Sequence, residues 1–383
     1  MMIKPVLLWS DALILLLLAT VAVVVWLARK NETFRAPWRQ VMRSRMGAAT
    51  ALILSVYVGI GLLDSLHYVE RLPGAPGQEA QYSGEVLSAL DALLTPLRVN
   101  VEKTYSAPLA THLYAKETIT GPDGVEYRDY PPLKYPGTHL LGTDKVGQDV
   151  LYLSLKSIRT GLLIGSLTTL IMLPFALTLG IAAGYFGGRI DDAIQYLYTT
   201  LNSIPGVLLI AAAVLVVQVQ IETHADLFET AAARSDVRLL ALCAILGVTG
   251  WTGLARLLRA EALKLRELEF VQAARAFGVT DARILLRHLL PNVMHLVLIT
   301  VVIDFSGLVL AEAVLSYVGV GVDPGMISFG NMINGARLEL AREPVVWWQL
   351  AAAFLFMFVL VLAANLFADQ VRDALDPKSR GRA

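Results

Sequence analysis

The chain has 383 residues, of which 56% are hydrophobic and 17% are charged, and its formal net charge is zero. Soluble proteins carry about a quarter charged residues, so the composition favours an integral membrane protein, and the neutral charge gives no support for a nucleic-acid partner. The single cysteine, Cys243, excludes an internal disulfide and a cysteine-pair metal site. The sequence contains no Gly-Lys dipeptide and therefore no P-loop for ATP.

Two apolar segments open the chain. The first, 6–27, has the length of a membrane helix and lacks a small-residue cleavage site, which predicts an uncleaved N-terminal transmembrane helix rather than a signal peptide. The segment 29–45 holds six Lys or Arg and one acidic residue, which predicts a cytoplasmic linker and an amino terminus outside the cell. The second apolar segment, 47–63, returns across the membrane. We therefore expect an N-terminal unit at 1–46 and a second transmembrane helix at 47–66.

A polar, turn-rich stretch follows at 67–158. We predict an extracytoplasmic insert between spans 2 and 3 that is mostly irregular, with one short hairpin across 117–127. Its carboxylates would be the catalytic groups of a membrane-embedded enzyme, but no periodic scaffold holds them, and a solvated surface is the favoured interpretation. The end of the insert, 138–150, reads THLLGTDKVGQDV. Its glycines and aspartates suit tight turns and helix caps, and they suit a lid over a pathway equally well.

The remaining apolar spans form a core at 159–369, followed by a cytoplasmic tail at 370–383. They run over 160–188, 193–221, 239–255, 289–322 and 345–368, which brings the count to seven. Asn202, Ser203 and Pro205 interrupt the second of these five spans. Polar residues beside a proline inside a span either mark a bend that faces a water-filled pathway or satisfy backbone groups that the proline frees. The sequence leaves both interpretations open.

A charged, helix-forming segment at 261–292 lies between two of these spans. Phe270, Ala273, Ala274 and Phe277 recur at helical spacing, which predicts one face with aromatic rings beside small residues. Gly278 can end this helix in a left-handed conformation. Thr280 can cap a second short helix, and Pro291 starts the next span. The expected helix-turn-helix either docks into a partner's groove or lies on lipid headgroups.

Two carboxylates, Asp304 and Glu312, lie inside the apolar span 289–322. Ionisable groups at membrane depth are costly and are functional by default. Eight residues apart on a helix, the two side chains lie within about 80° of each other. They are candidates for a proton relay or for structural carboxylates with partners inside the protein.

Several of these segments resemble the permeases of binding-protein-dependent ABC transporters, in particular the dipeptide, oligopeptide and nickel branch. The segment 272–291 is similar to the coupling-loop signature of these permeases, in which EAA is followed by Gly, Ile and Leu-Pro at fixed spacing. The matching positions are Gln272, Ala273, Ala274, Gly278, His288, Leu290 and Pro291, with Gln272 in place of Glu and His288 in place of Ile. The stretch 138–150 resembles the element that precedes the transmembrane core. The stretch 310–321, LAEAVLSYVGVG, is similar to a family pattern that includes the glutamate, which favours a structural role for Glu312.

The resemblance implies an all-α integral membrane fold, a six-helix ABC importer type I permease core, to which this chain adds the N-terminal helix and the insert. It implies that the chain is not an enzyme and binds no metal or cofactor, because separate subunits hydrolyse ATP. The implied partners are a second, homologous permease, two ABC ATPase subunits and an extracytoplasmic solute-binding protein, in a bacterial or archaeal cytoplasmic (inner) membrane. The expected solute is a di- or oligopeptide, with a nickel chelate or an oligosaccharide as alternatives.

Two rival functions come from different classes. A secondary transporter would use Asp304 and Glu312 and would move its solute with a proton gradient and without ATP. A membrane-embedded enzyme would cluster catalytic groups at the mouths of the spans. Neither rival gives a role to the segment 261–292, so co-purification of ATPase subunits discriminates between them and the ABC permease.

Overall fold

The computed structural model describes residues 3–28, 32–72, 81–120, 126–228 and 230–375. The turn of the predicted hairpin, at 121–125, and the tail beyond residue 375 lie outside the described residues, as does part of the basic linker. Within the described ranges the chain is mainly helical. Its strands are short and lie at the amino terminus and in the insert.

The helices are, in chain order, α1 Trp9–Ala28, α2 Glu32–Arg43, α3 Arg45–Asp64, α4 Ala89–Leu93, α5 Thr95–Val99, α6 Val150–Phe186, α7 Gly188–Ser203, α8 Gly206–Thr223, α9 Ala231–Gly250, α10 Thr252–Leu265, α11 Glu269–Ala276, α12 Asp281–Ile284, α13 Leu290–Val318, α14 Phe329–Ala336 and α15 Trp348–Leu375. A π-helical turn, Leu285–Leu289, joins α12 to α13. Short 3-10 turns lie at Ala225–Leu227 and Glu339–Ala341. The strands are β1 Ile3–Val6, β2 His67–Glu70, β3 Leu87–Ser88, β4 Glu117–Thr120 and β5 Glu126–Asp129.

Six helical segments of the described chain are long and apolar enough to cross a membrane. They are Arg45–Asp64, Val150–Phe186, Gly206–Thr223, Ala231–Leu265, Asp281–Val318 and Trp348–Ala374. These six correspond to the six-helix core expected from the sequence. The apolar part of α1, Trp9–Val23, is shorter, so a seventh crossing by α1 stays a prediction.

The predicted span 193–221 is divided in the structure. Helix α7 ends at Ser203, Ile204 is extended with ψ 131°, and the crossing helix α8 begins only at Gly206. The cause is Pro205, which has no backbone N–H to continue the helix and which disfavours helical geometry at the residue before it. The bend was predicted, but the start of the crossing helix at 193 was wrong.

Helix α6 is the central element of the fold. It runs for 37 residues, about 55 Å, and packs against α3, α9, α10, α13 and α15. Its contact with α10 is close because two glycines, Gly180 and Gly184, face that helix. A Cβ atom added at Gly184 would lie 2.5 Å from the Arg259 carbonyl oxygen and 2.6 Å from the Ala262 Cβ. Small residues four apart allow this approach of two backbones inside a membrane.

The extra helix α1 is fixed at its amino-terminal end by polar contacts. The backbone N–H of Ser10 donates to an Asp236 oxygen at 3.0 Å, and the Arg159 guanidinium donates to Asp11 at 2.7 Å. Strand β1 continues this attachment by pairing antiparallel with β2, which pairs in turn with β3. This three-stranded sheet was not predicted. The hairpin was predicted correctly, with β4 and β5 antiparallel and Glu117 opposite Asp129.

Candidate functional site

The segment 261–292 forms a helix-turn-helix whose turn is closed by Gly278. This glycine has φ +73°, in the left-handed region, and ends α11. The N–H of Gly278 donates to the Arg275 carbonyl at 2.9 Å, and the N–H of Val279 donates to the Ala274 carbonyl at 3.0 Å. This pair of bonds is the Schellman motif, which satisfies the last carbonyls of a helix. Thr280 is the N-cap residue of α12, as predicted, but its hydroxyl makes no capping bond.

One face of the helix-turn-helix is packed into the protein. Val271 and Ala274 are buried in a cluster with Leu258 of α10, Ile284 of α12 and Leu289. Burial of apolar side chains from four consecutive segments fixes the turn against the carboxy-terminal ends of α6 and α10. The helix-turn-helix therefore shares one packed core with α6 and α10.

A polar network adds to this attachment. The Tyr185 hydroxyl at the end of α6 donates to Asp281 at 2.6 Å and accepts from the Arg275 Nε at 3.2 Å. The Arg275 guanidinium also lies 4.4 Å from the centre of the Tyr185 ring, which is cation–π geometry. A single tyrosine thus contacts both helices of the turn, and α6 is linked directly to each of them.

The opposite face is exposed and apolar. Phe277 is 87% exposed and Phe270 is 42% exposed, and Ala273 lies at the surface of the same face. Large exposed aromatic side chains of this kind mark an interaction surface. The expectation that both alanines face outward holds for Ala273 and is wrong for Ala274, because Ala274 packs inward beside Val271.

The remaining residues of the motif lie around this surface. Gln272 is exposed and its amide donates to the Glu267 carbonyl at 3.1 Å, a bond that a glutamate at this position could not donate. The His288 ring lies 6.3 Å from the Phe270 ring, and its carbonyl accepts from the Asn292 amide at 2.6 Å. Leu290 and Pro291 form the first turn of α13, which continues the helical stretch that begins at Asp281.

A second connection joins α7 to α10. Both Asp191 carboxylate oxygens accept from the Arg259 guanidinium, at 2.5 and 2.6 Å. These bonds hold the pKa of Asp191 below its usual range. The bidentate geometry fixes the orientation of the two helices as well as their contact.

The two intramembrane carboxylates have different surroundings. Glu312 is 1% exposed, and its Oε1 accepts from the hydroxyls of Ser316 at 2.7 Å and Ser328 at 2.9 Å. A Cβ atom added at Gly330 would lie 2.8 Å from the same oxygen, so the site is filled. Asp304 is partly exposed and makes no hydrogen bond or ion pair with the described residues. The contacts of Glu312 favour a structural role for it, whereas no contact with the described residues accounts for Asp304.

The polar residues at the bend before α8 are largely satisfied locally. The Ser203 hydroxyl donates to the Thr200 carbonyl at 2.7 Å, in the last turn of α7. The Asn202 Oδ1 accepts from the Thr252 hydroxyl at 3.1 Å, which connects the bend to the start of α10. Both contacts favour the interpretation that these side chains stabilise the break made by Pro205.

Comparison with known proteins decides the family. The family described as "Binding-protein-dependent transport system inner membrane component" matches residues 176–381, which include the helix-turn-helix, Asp304 and Glu312. The chain belongs to this family.

Three relatives illustrate the similarity. The oligopeptide transport system permease protein OppC of Mycobacterium tuberculosis is 34% identical over 65% of this chain and 79% of that protein. The dipeptide transport system permease protein DppC of Bacillus subtilis is 28% identical over 71% of this chain and 76% of that protein. The glutathione transport system permease protein GsiD of Pectobacterium atrosepticum is 32% identical over 67% and 79%. Among solved structures, an inward-facing MetNI methionine ABC transporter covers 58% of this chain and 97% of that chain, with TM-score 0.44 and 17% identity.

The insert at 67–158 is more ordered than its sequence suggested. Three of its carboxylates, predicted to be solvated, are buried: Asp91, Glu102 and Asp149. Burial alone would raise the pKa of Asp91, but the Lys156 ammonium, 2.8 Å from both of its oxygens, outweighs this and holds that pKa below its usual range. For Asp91 the prediction failed because its partner, Lys156, lies 65 residues further along the chain.

The stretch 138–150 acts as the cap of α6. One Asp149 oxygen accepts from the N–H groups of Leu151 and Tyr152 at 2.8 and 3.1 Å, and the other lies 2.9 Å from the His139 Nδ1. Gly142 and Gly147 have positive φ values of 74° and 78°. The geometry therefore supports turns and a helix cap, which is one of the two interpretations that the sequence left open.

Proposed function

We propose that this chain is the transmembrane permease subunit of an ATP-driven ABC importer that moves peptides delivered by an extracytoplasmic binding protein. The observation that carries the proposal is the helix-turn-helix at 261–292, which is packed into the spans on one face and exposes Phe277, Ala273 and Phe270 on the other. A segment that transmits motion from an ATPase to a membrane domain needs one face that packs against the spans and another that contacts the ATPase. We call the helix-turn-helix at 261–292 the lever. The other signature positions, Gln272, Ala274, Gly278, His288, Leu290 and Pro291, shape or flank this lever.

The mechanism follows from the continuity of the segment. Residues 281–318 form one uninterrupted helical stretch from the turn into the membrane, and Tyr185 connects the same turn to α6. Closure of a pair of ATPases would displace the exposed face, and α6, α10 and α13 would tilt with it. The equilibrium between the tilted and untilted arrangements of the spans shifts because the lever makes different contacts with the open and the closed ATPase pair. No covalent step involves this chain, and we assign it no cofactor.

The assembly implied is larger than one subunit. We propose a second, homologous permease, two ATPase subunits and a solute-binding protein as partners, in a cytoplasmic (inner) membrane. The amino terminus lies outside and the carboxy terminus in the cytoplasm, because seven Lys or Arg lie between 256 and 287, on the side of the lever. The outer insert then faces the binding protein.

Peptides are the proposed solute class because the similar proteins carry the names of oligopeptide and dipeptide permeases. Labelled peptides of two to five residues should enter cells that produce the full assembly, and uptake should fall to background in a strain without this chain. Unlabelled peptide should compete, whereas a nickel chelate or an oligosaccharide in similar excess should not. Competition by either of those solutes and not by peptides would reassign the solute class.

A further inference from the structure

Asp304 lies at the middle of helix α13. It is equally far from the two ends of α13, Leu290 and Val318, at about 21 Å along the helix axis from each. The hydrocarbon core of a bilayer is about 30 Å thick, so the carboxylate lies near the midplane. An aspartate side chain is too short to reach either interface from there.

Among the described residues, no Lys or Arg lies in the middle of a membrane-crossing helix. Helix α13 contains no Lys or Arg between its two ends. On α6, the Phe305 ring packs over Gly165, and the nearest cation, Arg159, lies about 9 Å further towards the outer side. Arg159 already donates to Asp11 and Ser10, at 2.7 and 2.8 Å. If Asp304 is ionised, its compensating charge has to come from outside the described part of this chain.

The surface beside Asp304 is open. Ile303, Gly307 and Leu310 of the same helix are exposed, and a Cβ atom added at Gly307 would meet nothing within 4 Å. A carboxylate that faces lipid at the midplane costs about 2.5–3.5 kcal/mol or more. This part of α13 therefore borders a polar space or another subunit, with room next to the carboxylate.

We propose that Asp304 is a binding residue in the translocation pathway for the cationic end of the solute, the α-ammonium group of a peptide. The inference rests on the proposed function. Every peptide with a free amino terminus carries this charge whatever its sequence, and it loses its hydration when it crosses the membrane. A carboxylate at the midplane supplies the charge-assisted hydrogen bond that replaces the lost water.

The test compares two peptides of the same sequence, one with a free and one with an acetylated amino terminus, chosen so that the binding protein holds both. Uptake is measured with the complete assembly in vesicles supplied with ATP. Asp304→Asn should lower the maximal uptake of the free peptide about tenfold, equivalent to about 1.4 kcal/mol, and change that of the acetylated peptide less than about twofold. Asp304→Glu should retain most of the uptake of both.

Glu312→Ala is the structural control. It leaves the buried hydroxyls of Ser316 and Ser328 without their acceptor, so it should lower the melting temperature and reduce the uptake of both peptides alike. Equal losses for both peptides in Asp304→Asn would overturn the proposed site. Loss of the second permease from the assembly in Asp304→Asn would also overturn it, because the carboxylate would then pair with that subunit. Failure of the wild-type assembly to take up either peptide would instead overturn the peptide assignment, and with it this site.

Discussion

Phe277→Asp is expected to release the ATPase subunits while the protein remains folded and inserted. The Phe277 side chain is 87% exposed, so its replacement removes almost no packing within this chain. An aromatic side chain at the centre of a protein interface often contributes 2 kcal/mol or more, and an unpaired carboxylate in the same groove adds a desolvation cost. The affinity for the ATPases should fall at least about thirtyfold, and solute uptake should fall with it. The measurement is the amount of ATPase that co-purifies with each variant.

Two further variants serve as controls for Phe277→Asp. Phe277→Leu keeps an apolar side chain and should retain most of the ATPase. Ala274→Glu places a charge among the buried residues around Val271, so it should lower the melting temperature of the protein itself. If Phe277→Asp retains normal ATPase and normal uptake, the exposed face of the helix-turn-helix is only a surface of the connector.

Gly147→Ala is expected to unfold the outer insert locally. Gly147 has φ +78°, and an added Cβ would overlap the backbone carbonyl of Glu102. The side-chain carboxylate of Glu102 accepts from the N–H groups of Lys134 and Tyr135 at 3.0 and 2.7 Å. A shift of the Glu102 backbone would therefore disturb these contacts as well. Left-handed strain of about 1 kcal/mol and overpacking of about 1–3 kcal/mol give a total of about 2–4 kcal/mol. Faster proteolysis and faster hydrogen exchange within 81–148 would measure it.

Gly137→Ala is the matched control for this variant. Gly137 also has a positive φ, 71°, but an added Cβ would meet nothing within 4 Å. Its variant should therefore show only the backbone strain, about 1 kcal/mol. Equal effects of the two substitutions would mean that the contact between Gly147 and Glu102 contributes little to the insert.

The helix-turn-helix was predictable because its signals are local. Three signals lie within about thirty residues: a turn glycine, the apolar spacing around it and a proline at the start of α13. Each of them predicts where a helix begins or ends, or which face it buries. The orientation of the first helix was not predictable. Ala273 and Ala274 each lie on an apolar face of α11. Which of these two faces is buried depends on the packing of α10 and α12 against Val271.

Long-range partners explain the other differences. Asp91 is paired with Lys156, and β1 pairs with β2 across more than sixty residues, so neither contact leaves a pattern in the local sequence. Glu312 and Asp304 both have apolar neighbours in the sequence. What distinguishes them is Ser328, the residue before α14, whose hydroxyl donates to Glu312. The sequence could therefore identify both carboxylates as candidates but could not separate them.

The central claim is that ATP hydrolysed by partner subunits drives transport through this chain. The most direct measurement is peptide uptake into vesicles that contain the assembly purified from native membranes. The nucleotide supplied to the ATPase subunits and the proton gradient across the vesicle membrane are varied separately. The account predicts that ATPase subunits co-purify, that uptake stops when ATP is replaced by a non-hydrolysable analogue, and that uptake continues after an ionophore collapses the proton gradient. Uptake by this polypeptide alone, driven by the gradient and indifferent to ATP, would contradict it.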